Sequence, residues 1–127
     1  MDKQNRNQGY RDLIVFEKSY NLCLKIFEVT KNYPKEEKYS LTDQIRRSSR
    51  SIPANIAESW AKRGYPRHFT SKLSDALAEA NETEVWLEMS KDLKYLNENN
   101  YSRLINGNNE IKKMLWSMMN NPDKFCY

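Results

Sequence analysis

Four stretches of roughly 20 to 30 residues, each with apolar side chains returning at the helical period, are separated by breaks that a helix does not run through. Asn32, Tyr33 and Pro34 close the first, because the residue before a proline is pushed out of the α region. Gly64, Tyr65 and Pro66 divide the second from the third, Asn97, Glu98, Asn99 and Asn100 the third from the fourth, and Asn120, Asn121 and Pro122 end the fourth. With only three glycines and four prolines, the chain lacks the turn formers that a many-stranded sandwich requires. An all-α domain follows.

Helical spacing assigns a stripe to each segment. The first, about 11–32, aligns Leu13, Phe16, Tyr20, Cys23, Leu24 and Phe27; the second, about 40–63, aligns Leu41, Ile45, Ser48, Ser49, Ile52, Ile56 and Trp60. Ser40 followed by Asp43 reads as a capping signal at its start. The third, about 66–96, begins at Pro66 and aligns Phe69, Leu73, Ala76, Leu77, Ala80, Thr83 and Leu87. The fourth, about 100–119, carries Tyr101, Leu104, Ile105, Ile111, Leu115 and Met119. Short connections favour antiparallel neighbours, giving an up-down-up-down four-helix bundle over 10–120, between a flexible segment 1–9 and a C-terminal tail 121–127. Pro53 falls inside the second stripe, where it either kinks the helix around its neighbours or exposes a polar site near Ser48, Ser49 and Arg50.

A monomeric bundle helix needs one apolar stripe and a polar back. Here second apolar faces remain: Leu22, Ile26 and Val29 on the first helix, and Val85, Trp86, Met89 and Leu93 on the third. Small residues at Ser51, Ala54, Ala57 and Ala61 would let another helix approach the second. Exposed apolar surface of this extent marks protein interfaces, so these residues are expected to hold copies of the chain together.

Charge is unevenly placed. The chain carries a net +4, yet Asp43 to His68 holds six basic and two acidic residues, and Phe69 to Glu98 three basic and seven acidic. Two readings follow. Arg46, Arg47 and Arg63 can form structural ion pairs with Glu82 and Glu84, because a buried charge must be paired. Alternatively Arg46, Arg47, Arg50, Lys62, Arg63 and Arg67 form a surface for nucleic-acid phosphates, which guanidinium forks suit.

Other chemistry is limited by supply. A di-iron bundle needs a Glu-x-x-His motif on each of two helices, and His68 is the only histidine. Cys23 and Cys126 with one histidine make no zinc set of standard spacing, so no metal and no cofactor is expected. Cys23 reads as a small core hydrophobe and Cys126 as part of a mobile tail. No glycine-rich phosphate loop and no nucleophile–base arrangement can be assembled, so the chain is expected not to be an enzyme. The longest apolar run is Leu13 to Phe16, far short of a membrane span, and the first nine residues contain no apolar signal region. A cytoplasmic protein with reduced thiols is expected.

The segment from Tyr39 to Glu58 closely resembles the 23S rRNA intervening-sequence protein family. Its hallmark is matched by Leu41, Gln44, Ile45, Arg46 and Arg47, running into Ser51, Ile52, Pro53, Ala54, Asn55, Ile56, Ala57 and Glu58. The likeness spans about 10–97, through Tyr33 and Pro34, Phe69, Glu82, Glu84, and Leu93 to Leu96. Ser59 stands where the family usually has glycine, and Ala78-Glu79 replaces a Gly-Ser pair, adding negative charge on the third helix. The resemblance implies a four-helix bundle assembled as a ring-like homo-oligomer, a homopentamer, with RNA or another nucleic acid as the usual proposed partner. The alternative is a protein-binding adaptor whose arginines are consumed in structural ion pairs with Glu82 and Glu84, for example a partner of a nucleic-acid enzyme such as the reverse transcriptase that a related bundle family serves.

Overall fold

The computed structural model describes residues 9–127. It contains four helices, α1 (Ile14–Thr30), α2 (Leu41–Ala61), α3 (Pro66–Asp92) and α4 (Glu98–Met119), with short 3-10 turns at Tyr10–Asp12, Lys35–Glu37 and Pro122–Lys124. No strand occurs among the described residues. Of the segment expected to be flexible, residues 1–8 lie outside those described. Each helix packs on two neighbours, α1 and α3 both touching α2 and α4, while the diagonal pairs do not meet. Ile26, Ile45, Ile52, Ile56, Phe69, Leu73, Leu87, Ile111 and Leu115 fill the space so enclosed.

The most extensive seam joins α2 to α3. Small side chains permit it: Ser48 on α2, and Ala76, Ala80 and Thr83 on α3, are all buried. Thr83 Oγ1 lies 2.9 Å from Ser48 Oγ and 2.9 Å from the Glu79 carbonyl, so these hydroxyls enter the core with partners. Pro53 is buried within an uninterrupted α2. With Ser48 and Ser49 both buried, the reading of an exposed polar site around Pro53 is corrected.

The face assigned to α1 is also corrected. The helix buries Val15, Phe16, Ser19, Leu22, Ile26 and Thr30, while Tyr20 and Leu24 are about half exposed and Cys23 is half-buried. The Ser19 hydroxyl donates to the Phe16 carbonyl at 3.0 Å, and that of Thr30 to the Ile26 carbonyl at 2.8 Å. Self-satisfied hydroxyls count as core positions, and they rotate the buried stripe away from the bulkiest side chains. The tail is docked rather than mobile. Phe125 stacks on Phe69 at 6.0 Å and meets Trp60 edge-on at 6.3 Å, and Cys126 is buried beside them.

Helix ends are fixed by residues outside the helices. Ser40 makes no cap bond of its own; its hydroxyl donates to Glu37 Oε1 at 2.7 Å, and the Leu41 N–H donates to the same oxygen at 3.3 Å. The Tyr95 hydroxyl donates to Glu37 Oε2 at 2.9 Å, tying the start of α2 to the end of α3. These bonds, that from Ser40 above all, hold the Glu37 carboxyl below the ordinary glutamate range. At the end of α3, Lys94 adopts a left-handed φ of 66°, and the Lys94 and Tyr95 N–H groups bond back to the Lys91 and Ser90 carbonyls. This is a Schellman closure with lysine in the position glycine usually fills.

Candidate functional site

On α2 the arginines diverge. Arg46 and Arg50 are one turn apart and share a face. Both lean toward α1, with guanidinium carbons 4.5 and 5.9 Å from the centroid of the Phe27 ring. Arg46 Nε donates to Thr30 Oγ1 at 2.8 Å, which fixes its plane. Arg47, about 100° further round the helix, faces α3, with Nη2 at 3.6 Å from Glu82 Oε1 and donating to Gln44 Oε1 at 3.2 Å. Beside that pair the Glu79 carboxyl is pushed up by burial and by its hydrogen bond with Glu82, against the pull of Arg47.

Of the expected ion pairs, that of Arg47 with Glu82 forms. Arg46 reaches Thr30 and Phe27 instead of a carboxylate, because its position on α2 points at α1. Glu84 pairs with Lys112 on α4 at 2.6 Å. Arg63 is 5% exposed, with its guanidinium carbon 3.9 Å from the Trp60 ring centroid and Nε donating to the Trp60 carbonyl at 3.0 Å. The Tyr127 N–H donates to the Arg63 carbonyl at 3.3 Å, so the docked tail covers this corner. Arg63 is thereby corrected as a surface contact. Lys62 and Arg67 are exposed at the α2–α3 turn. Sixteen residues separate Lys62 from Arg46, about 24 Å along a helix, so the six basic residues do not form one patch.

What the structure does bring together is a groove of two adjoining depressions along the outer side of α2, the first bounded by the α1–α2 connection and the second by α1. One depression, of 530 Å³, is bounded by Lys38, Tyr39, Asp43, Arg46 and Arg47; a second, of 370 Å³, by Tyr10, Arg11, Tyr20 and Cys23; and both are lined by Arg50 and Ala54. Five basic side chains face it and one carboxylate, that of Asp43. Ion pairs engage Lys18, Lys31, Lys72 and Lys112 elsewhere and Arg47 at the groove itself, but among the described residues Arg46 and Arg50 join none. Burial pushes the nearby Cys23 thiol up, and the charge of Arg50 partly reverses this. The larger α1–α4 groove, of 640 Å³, sets Glu17, Glu28 and Glu110 against Lys18, Lys25 and Arg103, so no single sign of charge prevails there.

Arg11, Lys38, Tyr39, Phe27 and Thr30 escaped the sequence reading of this site. They come from α1, its preceding turn and the α1–α2 connection, and nothing in their spacing links them to Arg46.

The expected interface residues also separate. Leu22 and Ile26 are 4% and 0% exposed and belong to the core, which corrects their assignment to a contact between copies. The same rotation of the α1 face explains it. Val29, Ala57 and Trp86 are half-buried. Ala54 is exposed on α2, and Val85, Met89 and Leu93, at one-turn spacing, form an exposed strip on α3. Among the described residues no three His, Cys, Asp or Glu side chains converge as metal ligands, and no helix is long and apolar enough to cross a membrane.

A family profile described as 23S rRNA-intervening sequence protein matches residues 11–117. Among solved structures, the chain is similar to a protein of unknown function from the S23 ribosomal protein family of Bacteroides thetaiotaomicron VPI-5482. The two are 36% identical and superpose with a TM-score of 0.77 over 84% of this chain and 96% of that one. No curated protein matches the chain.

Proposed function

The chain belongs to the 23S rRNA-intervening sequence protein family, and from that premise we propose that it is a cytoplasmic, non-enzymatic binding protein that engages structured RNA through the arginine groove of α2. The observation that carries the reading is the state of Arg46 and Arg50. Both are held over Phe27, and neither has a carboxylate partner among the described residues. A guanidinium kept ordered without a counter-charge suits a phosphate, whose oxygens accept from its planar fork. Arg47 lies at the rim and shares its charge with Glu82. Lys62 and Arg67 form a separate, weaker cluster at the far end of α2.

The reading includes self-association as a ring-like homo-oligomer, a pentamer, with the strip of Val85, Met89 and Leu93 on α3 and Ala54 on α2 facing other copies. Repeating the groove around such a ring raises avidity without strong single sites.

Fluorescence anisotropy with a labelled structured RNA across a salt series tests it. Affinity should fall steeply from low to moderate salt, and Arg46→Gln with Arg50→Gln should remove most of it while the helical circular dichroism is kept. Light scattering should give a mass near five times 15.2 kDa, with excess absorbance at 260 nm before nuclease treatment. The Arg47–Glu82 pair favours a second reading, an adaptor for a protein such as a nucleic-acid enzyme. Binding insensitive to salt and to the Arg46 and Arg50 substitutions, with a clean protein spectrum, selects that one.

A further inference from the structure

We propose that the α1–α2 groove is a track for an unpaired strand of RNA, its phosphates taken by Arg46 and Arg50 and its bases stacked on Tyr39 and Tyr20. This rests on the nucleic-acid reading and says which form of nucleic acid the site takes.

Three observations carry it. First, the depression that Tyr39, Arg46, Arg50 and Ala54 line extends along the axis of α2 past both arginines, and Arg50 and Ala54 also line the second depression beside it. Arg46 and Arg50 are about 6 Å apart along that axis, and the groove offers phosphates a row of contacts, not a single seat. Second, an aromatic ring stands free on either side of the arginine pair. Tyr39 is 85% exposed and Tyr20 is 46% exposed. Tyr20 is backed by Phe16 at 5.8 Å, itself backed by Tyr10 at 4.8 Å, so its outer face is held at a fixed angle. Tyr39 carries the Lys38 ammonium 5.3 Å from its ring centroid. Positive grooves with interleaved aromatic rings bind single strands, because every unstacked base has a face to offer, whereas bases within a duplex are already stacked. Third, Arg46 lies over Phe27 and is bonded to Thr30, so it presents a fixed plane. A fixed guanidinium plane is itself a platform for a splayed base.

The test uses the full chain and two labelled probes, an oligouridylate of about twelve nucleotides and the same strand paired with oligoadenylate, titrated by anisotropy at several salt concentrations. The single strand should bind at least tenfold tighter than the duplex. Tyr20→Leu with Tyr39→Leu should weaken it at least fivefold and leave the salt slope unchanged. Arg50→Gln should instead reduce that slope by about one. Tyr39→Leu alone provides the same test if the double variant does not fold, since Tyr39 packs against no core residue. Equal affinity for the duplex, or tyrosine variants that bind like the parent, would overturn the track and leave the nucleic-acid reading standing. Failure of both probes and of the labelled structured RNA to bind would sink that reading as well. Polyglutamate displacing the oligouridylate at equal charge would overturn it in favour of an acidic protein partner.

Discussion

Lys94 is where one side chain works against its backbone. Its left-handed φ is required by the closure of α3, and a lysine there suffers the Cβ crowding that glycine avoids. Lys94→Gly should raise unfolding stability by up to about 1 kcal/mol in urea titrations, once the greater freedom of glycine in the unfolded chain is subtracted. Unchanged or lower stability would mean that the lysine stem supplies packing that outweighs the strain. Glu37 acts in the opposite sense. Its carboxyl titrates below its unfolded value, so the bonds from Ser40, Tyr95 and Leu41 contribute stability that is present above the unfolded glutamate range and is lost as pH falls through the folded one. Glu37→Gln should therefore be less stable than the parent at pH 7, and the gap should narrow as pH falls below the ordinary glutamate range and through the folded one. A gap constant across that range would show that the carboxylate charge is not what caps α2.

Between elements, the α2–α3 seam depends on small side chains. Ala80 is fully buried, and its carbonyl accepts from Asn108 Nδ2 on α4 at 2.9 Å. Ala80→Leu should cost about 1–3 kcal/mol by forcing the helices apart, measured as a lower denaturation midpoint. The groove has its own dependence on α1. Thr30→Val removes the acceptor that holds Arg46 Nε and should cost about 1 kcal/mol. It should also weaken RNA binding a few-fold with no change in the net charge of the site. Such a loss identifies Thr30 as a positioning residue, and Thr30→Ser, which keeps the oxygen, should restore it. Much at this scale was legible in advance. Tyr33-Pro34 and Gly64-Tyr65-Pro66 mark real helix ends, and the α2 and α3 stripes from Leu41 to Trp60 and Phe69 to Leu87 are the buried ones. The α1 stripe was misread because Ser19 and Thr30 look polar in sequence and become core only by bonding their own helix. Asn108 was hidden because an asparagine on α4 looks polar in sequence and becomes core only by donating across to the Ala80 carbonyl of α3. The groove could not be read at all, since Phe27 and Thr30 meet Arg46 only through tertiary packing.

For the whole molecule, the tail matters beyond its length. Phe125 packs on both Trp60 and Phe69 at the end of the α2–α3 pair that the turn closes, and Phe125→Ala should cost about 2 kcal/mol, less than a fully buried phenylalanine, because the ring is only half enclosed. The oligomer is argued at this scale too. Met89→Glu, in the exposed α3 strip, should lower the mass seen by light scattering without changing helix content, and an unchanged mass would move the contact elsewhere. The docked tail has one more consequence. Cys126 is 5% exposed and Cys23 half-buried, and neither is in a disulfide, so the chain carries two thiols of unequal reach. A thiol reagent should label Cys23 first. Cys126 should react only as fast as the tail detaches, which makes its labelling rate a clock for local opening in the intact fold.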